Sequence, residues 1–127
     1  IKEHLDPLTE NMGIKCDHSE AGICTATLQA TPEHCNKHGF VHGAVLFAMA
    51  DVAMGAAVAT AIKHEKLVVS LSVNAHYVKP AVPGELIAQA SIVRLGKTVA
   101  VTRTDICNNK GKVCAVFTAD FHISEYK

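Results

Sequence analysis

At 127 residues the chain has room for one domain with a sizeable core, and not for two. Lysine plus arginine and aspartate plus glutamate balance at twelve each, which leaves no electrostatic case for nucleic acid or an anionic membrane surface. With four Phe, two Tyr and no Trp, a base-stacking surface is excluded as well.

Taken in chain order, residues 1–12 (IKEHLDPLTENM) read as a short amphipathic helix or turn whose regularity Pro7 limits. Gly13 opens a stretch that becomes a strand over 21–30, where Ile23, Thr25, Thr27 and Gln29 alternate with Cys24, Ala26 and Leu28. The segment 31–41, TPEHCNKHGFV, is polar, contains Pro32 and Gly39, and reads as a loop. A helix follows over 42–62, and the polar run KHEK at 63–66 is its solvated exit, with cations that suit the negative end of the helix dipole. Four more strands are predicted. The first, 67–78, sets Leu71, Val73, Ala75 and Tyr77 against Ser70, Ser72, Asn74 and His76. A Lys79–Gly84 turn leads to strands 85–95 and 98–107, and the Asn108–Gly111 hairpin signal to a last strand, 113–123. One strand, one buried helix and an antiparallel meander of four describe an α+β fold, a sheet curled around a helix. Five cysteines (16, 24, 35, 107 and 114) form no CxxC pair, and their odd number behind a start that is not signal-like favours reduced thiols and a cytoplasmic protein.

The predicted helix, HGAVLFAMADVAMGAAVATAI, is the element around which the rest is organised. It is apolar on every face, as in a helix buried on all sides by its own chain or by a second copy. About twenty apolar residues can span a bilayer, but a mid-span acid and the amphipathic strands that follow speak for a core helix instead. That acid, Asp51, is the anomaly. An unpaired buried charge costs several kcal/mol or more, so the group is protonated, paired or at the wall of a wet cavity. It is either a structural aspartate tied to a neighbouring polar group or a catalytic carboxylate whose site needs an apolar wall.

Just upstream stands Asn36-x-x-Gly39-x-x-His42-Gly43. Gly43 begins a helix whose first N–H groups lack internal partners, an end suited to an anion or a developing oxyanion. Asn36 adds a side-chain donor, and His42 can cap the helix or bond a ligand. With Asp51 these groups suggest an enzyme that attacks a carbonyl. Counted as nine helical residues, the run to Asp51 covers about 13.5 Å and about 900° of helix, an expectation that sets Gly43 and Asp51 on opposite faces. One chain then cannot bring both to one carbonyl, and a two-fold dimer would supply two composite sites.

These residues, followed by Ser70-x6-Tyr77-x2-Pro80 and Gly84, resemble the hotdog-fold acyl-CoA thioesterases of the PaaI and acyl-CoA thioesterase 13 type, over nearly all of residues 30–123. The resemblance implies a single hotdog domain over 1–127, with a curved antiparallel sheet around a long central helix, assembled as dimers and usually as tetramers. It implies hydrolysis of acyl- or aryl-CoA to CoA and free acid, without a cofactor. The catalytic carboxylate then falls on Asp51, the oxyanion donor on the Gly43 backbone, the family's Asn and His on Asn36 and His42, and a water-holding hydroxyl on Ser70. Gly39 and Ala44 fall at the substrate. Where the family usually has His-Gly-Gly, this chain has His-Gly-Ala; the Ala44 methyl leaves the Gly43 N–H intact and narrows the acyl entrance. For the CoA phosphates the candidates are Lys79, Arg94, Lys97 and Arg103, with Lys97 on a loop that borders the nucleotide in similar proteins. A hotdog hydratase or dehydratase would need a His and an acid placed for proton transfer at carbon, which the Asn36, Gly43 and Ser70 set fits less well. A binding module without catalysis would have no use for Asp51. His34, Cys35, His38 and His42 could ligate zinc, but their spacing matches no familiar finger.

Overall fold

The computed structural model of the chain describes residues 6–126. Its elements are α1 (Pro7–Met12), β1 (Lys15–Glu20), β2 (Ile23–Ala30), a 3-10 turn (Pro32–His34), α2 (Gly43–Ala61), β3 (Leu67–Tyr77), β4 (Gly84–Leu95), β5 (Val99–Asn108) and β6 (Val113–Ser124). Within the expected N-terminal helix or turn, residues 1–5 lie outside the described residues. From Pro7 onward the segment is helical, because proline occupies the first turn, where its missing N–H costs nothing.

All strand pairs are antiparallel, in the order β1-β2-β4-β5-β6-β3. Two features differ from the sequence reading. A strand precedes the expected first one: β1, KCDHSE, is polar in composition, yet Cys16 points inward and Lys15 and Asp17 outward. It lies at the sheet edge, where charged side chains are common. And the last four strands are not a meander. Only β4, β5 and β6 run as neighbours, while β3 pairs with β6 and leaves the sheet through the Pro-containing segment before β4. That crossing is held by the N–H groups of Val78 and Lys79, which both donate to the Cys114 carbonyl at 2.9 and 3.1 Å.

Register puts one continuous row of small side chains on the concave face: Cys24 opposite Ala90, Ala90 opposite Thr104, Thr104 opposite Phe117, and Phe117 opposite Ala75. Apart from Phe117 these are Ala, Thr and Cys. Such a shallow face lets α2 lie close across the strands, and Met49, Ala50, Ala53, Met54 and Ala57 are fully buried there. Length and composition would let α2 cross a bilayer, but here it is the core helix against the sheet.

The helix is not enclosed on every side by its own chain. Ala48, Asp51, Val52, Gly55 and Ala59 are only partly buried, and Phe47 and Ala44 are exposed. Their spacing of three and four residues makes one stripe along α2, apolar except for Asp51. It borders β3, the edge strand, whose Leu67, Val69 and Leu71 are also exposed.

Candidate active site

The loop before α2 is fixed by its own hydrogen bonds. Thr31 caps the 3-10 turn, and the Asn36 Oδ1 accepts from the N–H groups of His38 and Phe40 at 2.9 and 3.2 Å. The Asn36 N–H donates to the Phe40 carbonyl at 2.7 Å, and the Gly39 N–H to the Asn36 carbonyl at 3.1 Å. Gly39 has φ +84°, a left-handed conformation that glycine adopts without strain, so its part is to close this turn. With Oδ1 engaged twice, the Asn36 amide has its NH₂ donors left for the cleft it lines.

The start of α2 leaves one donor. His42 is the N-cap, and its Nδ1 accepts from the Ala44 N–H at 3.0 Å. Its carbonyl accepts from Val45 and Leu46 at 2.9 and 3.3 Å. Of the first four helical N–H groups, only that of Gly43 has no partner among the described residues. An acceptor Nδ1 also fixes the neutral imidazole as the tautomer with its proton on the exposed Nε2. Asn36, Phe40, Gly43, Leu46, Tyr77 and Lys79 are among the residues lining a cleft of about 300 Å³.

Asp51 stands elsewhere, with Ser70, in a second cleft of about 470 Å³ walled by Val52, Gly55, Val68 and Phe121. Its Oδ1 is buried and has no hydrogen-bond partner among the described residues. Burial raises the carboxyl pKa above the usual aspartate value, and the negative charge of Asp6 raises it further. Asp6 lines the same cleft and caps α1, where the Thr9 N–H bonds its Oδ1 at 2.8 Å and lowers its own pKa. Ser70 reaches this cleft through a bulge. A register shift between Ser70 and Ser72 changes the phase of β3, so Val68 and Ser70 face inward with Ile123 and Phe121, while Val73 and Ala75 face inward beyond it. Uninterrupted alternation puts Ser70 on the outer, polar face and Leu71 inside; Leu71 is instead 60 % exposed.

The expectation that Gly43 and Asp51 occupy opposite helix faces is corrected by the helix itself. It begins at Gly43, eight steps before Asp51, a rotation of about 800°, or about 80° beyond two full turns. Axial distance, about 12 Å at 1.5 Å per residue, is what keeps the two apart, and they line different clefts.

The other expected residues divide. Lys79 is in the Gly43 cleft. Gly39 and Ala44 are exposed and line neither cleft. Lys97 is on the turn after β4, in a depression shared with Ile62 and Lys66, and Arg94 is exposed near the end of β4. Arg103 faces Asp105 at 3.5 Å. The histidine-rich loop uses its side chains for structure: the His34 Nδ1 accepts from Thr31 at 3.0 Å, its Nε2 meets the Met12 carbonyl at 2.7 Å, and His42 caps α2. Two groups were not foreseen. Asp6 is separated from Asp51 by the whole N-terminal region, and no local signal links them. Tyr77 was visible in the motif, but its contact with Gly43 is tertiary.

Comparison with known proteins then decides the family. A model described as the Thioesterase superfamily matches residues 38–115. The chain belongs to this superfamily. It is similar to a putative esterase of Archaeoglobus fulgidus, 30 % identical over 120 residues that make up 91 % of this chain and 76 % of that protein. The acyl-coenzyme A thioesterase PaaI of Escherichia coli (strain K12) is 28 % identical over 119 residues, 92 % of this chain and 82 % of that one. The solved structure of E. coli PaaI, a protein of the phenylacetic acid degradation operon, superposes with a TM-score of 0.87 at 26 % identity, covering 93 % of this chain and 84 % of that one. The fold is therefore the hotdog, and the chain is a thioester hydrolase.

Proposed function

We propose that this thioesterase hydrolyses acyl- or aryl-CoA thioesters at a site shared between two copies of the chain. The single observation that carries the reading is the division of the chemistry between two clefts. One has the Gly43 N–H and Asn36 without a carboxylate; the other has a carboxylate, Asp51 beside Ser70, without the helix-start donor. A two-fold dimer joins each half to its complement. The open apolar stripe on α2 and the exposed edge strand β3 support that pairing. Pairing of such dimers would give the tetramer usual in similar proteins. A cytoplasmic location accords with five cysteines in no disulfide.

In this scheme the thioester oxygen accepts from the Gly43 N–H and the Asn36 amide of one copy, where the helix start stabilises the oxyanion. The partner subunit's Asp51 takes a proton from water held with Ser70. The water oxygen bonds to the carbonyl carbon, the C–S bond breaks, and the CoA sulfur leaves with the electron pair and is protonated. Alternatively Asp51 attacks the carbon itself and water cleaves the resulting anhydride. Incorporation of oxygen-18 from water into Asp51 in a single turnover distinguishes the nucleophile from the base. His42 and Ala44 form the rim, and Lys79, with Lys97 or Arg94 of a neighbouring copy, meets the CoA phosphates. A hydratase is disfavoured, because Asn36, Gly43 and Ser70 suit attack on a carbonyl better than proton transfer at carbon.

The test is a panel of straight-chain and aryl acyl-CoA thioesters followed by thiol release. One free CoA thiol per acid formed is expected. Hydration of crotonyl-CoA without thiol release, or binding without turnover, would contradict the reading.

A further inference from the structure

Glycine at position 43 is not required by its backbone. Its φ lies outside the left-handed region that Gly13, Gly22 and Gly39 occupy, and the first position of a helix accepts most residues. What crowds a side chain there is Tyr77. A Cβ on Gly43 would lie 3.3 Å from the Tyr77 Cζ, 3.4 Å from its Oη and 3.5 Å from its Cε1, tighter than ordinary contact at the nearest of these. The same tyrosine donates from Oη to the Gly43 carbonyl at 3.0 Å. Its ring is held on the other side by the edge-on ring of Phe117, 5.8 Å away at 87°, and Phe117 is fully buried.

We infer that Tyr77 is a positioning residue of the thioesterase: its ring and hydroxyl fix the first turn of α2 so that the Gly43 N–H points into the cleft, and its ring is the reason position 43 is glycine. The inference rests on the proposed role of that N–H as oxyanion donor. The physics is one of restraint. Glycine has the least restricted backbone of any residue, and a donor works on an oxyanion only when its direction is set beforehand. The helix ladder uses one lone pair of the Gly43 carbonyl; the Tyr77 hydroxyl takes the other and clamps the residue from the sheet side. Burial holds the Tyr77 pKa above its usual value, so the hydroxyl keeps its proton and stays a donor.

Tyr77→Phe keeps the ring and removes only the hydroxyl. Its kcat for CoA release should fall about threefold to tenfold, the worth of one neutral hydrogen bond, with KM and melting temperature near wild type. In protein labelled with ¹⁵N-glycine, the Gly43 amide signal should move in the free enzyme. Gly43→Ala should cost a larger factor in kcat, and more in melting temperature, with Tyr77 present than in a Tyr77→Leu background. An unmoved Gly43 amide and wild-type kcat in Tyr77→Phe would overturn the proposal, as would equal cost of Gly43→Ala in both backgrounds. Asp51→Asn, measured in parallel, reports on the reaction itself. A silent Tyr77→Phe beside an inactive Asp51→Asn removes the positioning role alone. An active Asp51→Asn removes the reaction scheme, and with it the catalytic role of Tyr77, whatever the amide signal does.

Discussion

The donor half and the carboxylate half of the proposed site are built on opposite principles. From Asn36 to Gly43 local hydrogen bonds hold the chain: Oδ1 of Asn36 closes its loop, His42 caps its own helix, and the Gly43 N–H and Asn36 NH₂ are left without partners among the described residues. Asp51 has no such support. Its position comes from the burial of α2, its Oδ1 is unsatisfied among the described residues, and the charge of Asp6, which acts on it, has the same sign. A site half made of short-range bonds is rigid before substrate arrives. A half made of an isolated buried acid is destabilised until something completes it. The difference identifies the carboxylate half as the costly one, and variants on the two sides should behave differently.

The largest effect is expected for Asp51→Asn. Hydrolysis should fall by about a hundredfold or more, the usual worth of a general base, with folding intact by circular dichroism. Stability should move the other way. Because burial raises the folded-state pKa, ionising Asp51 costs the folded chain more than the unfolded one, and stability falls as pH rises from the ordinary carboxylate range through the raised value. Removing the acid should therefore raise the melting temperature at neutral pH and leave it unchanged in acid below that range. A lower melting temperature at pH 7 would show that Asp51 has a stabilising partner.

Asn36→Ala should cost both activity and stability, since one side chain serves loop and cleft: about a hundredfold in kcat from a lost oxyanion donor, and about 1 kcal/mol from lost loop hydrogen bonds. Ser70→Ala in the other half should lower kcat by about tenfold with little change in melting temperature, because its exposed hydroxyl has no hydrogen-bond partner among the described residues. Paired kinetic and thermal measurements check the contrast; equal destabilisation by both would erase it.

The smallest effect concerns Asp6→Asn. Its negative charge helps raise the Asp51 pKa, so its removal should lower that pKa and shift the acid limb of the kcat profile to lower pH. The plateau should stay where it is. An acid limb that does not move would mean that Asp6 exerts no influence in the assembled enzyme.

How much of this was legible in the sequence follows the same division. The motif of the donor half is contiguous, and its chemistry can be read from Asn36, His42 and Gly43 because local hydrogen bonds decide their roles. Asp51 was legible as an exception, the single charge in an apolar helix. Ser70 was found by resemblance, but alternation puts it on the wrong face, since a bulge leaves no mark in a pattern of period two. The polar composition of β1 hid an edge strand, and the pairing of β3 with β6 is a long-range choice that strand propensity does not encode.

Complementation tests the shared site most directly. One inactive protein carries Asp51→Ala. The other carries Gly43→Pro, which removes the N–H and also brings a Cβ to 3.3 Å from the Tyr77 ring. Each alone should stay near background. Refolded together in equal amounts, random pairing gives about half mixed dimers with one of two sites intact, so activity should return to about a quarter of wild type per chain. A mixture that remains inactive, while native mass spectrometry shows the mixed dimers and circular dichroism shows both variants folded, would contradict a site in which Gly43 of one copy and Asp51 of the other act on the same carbonyl.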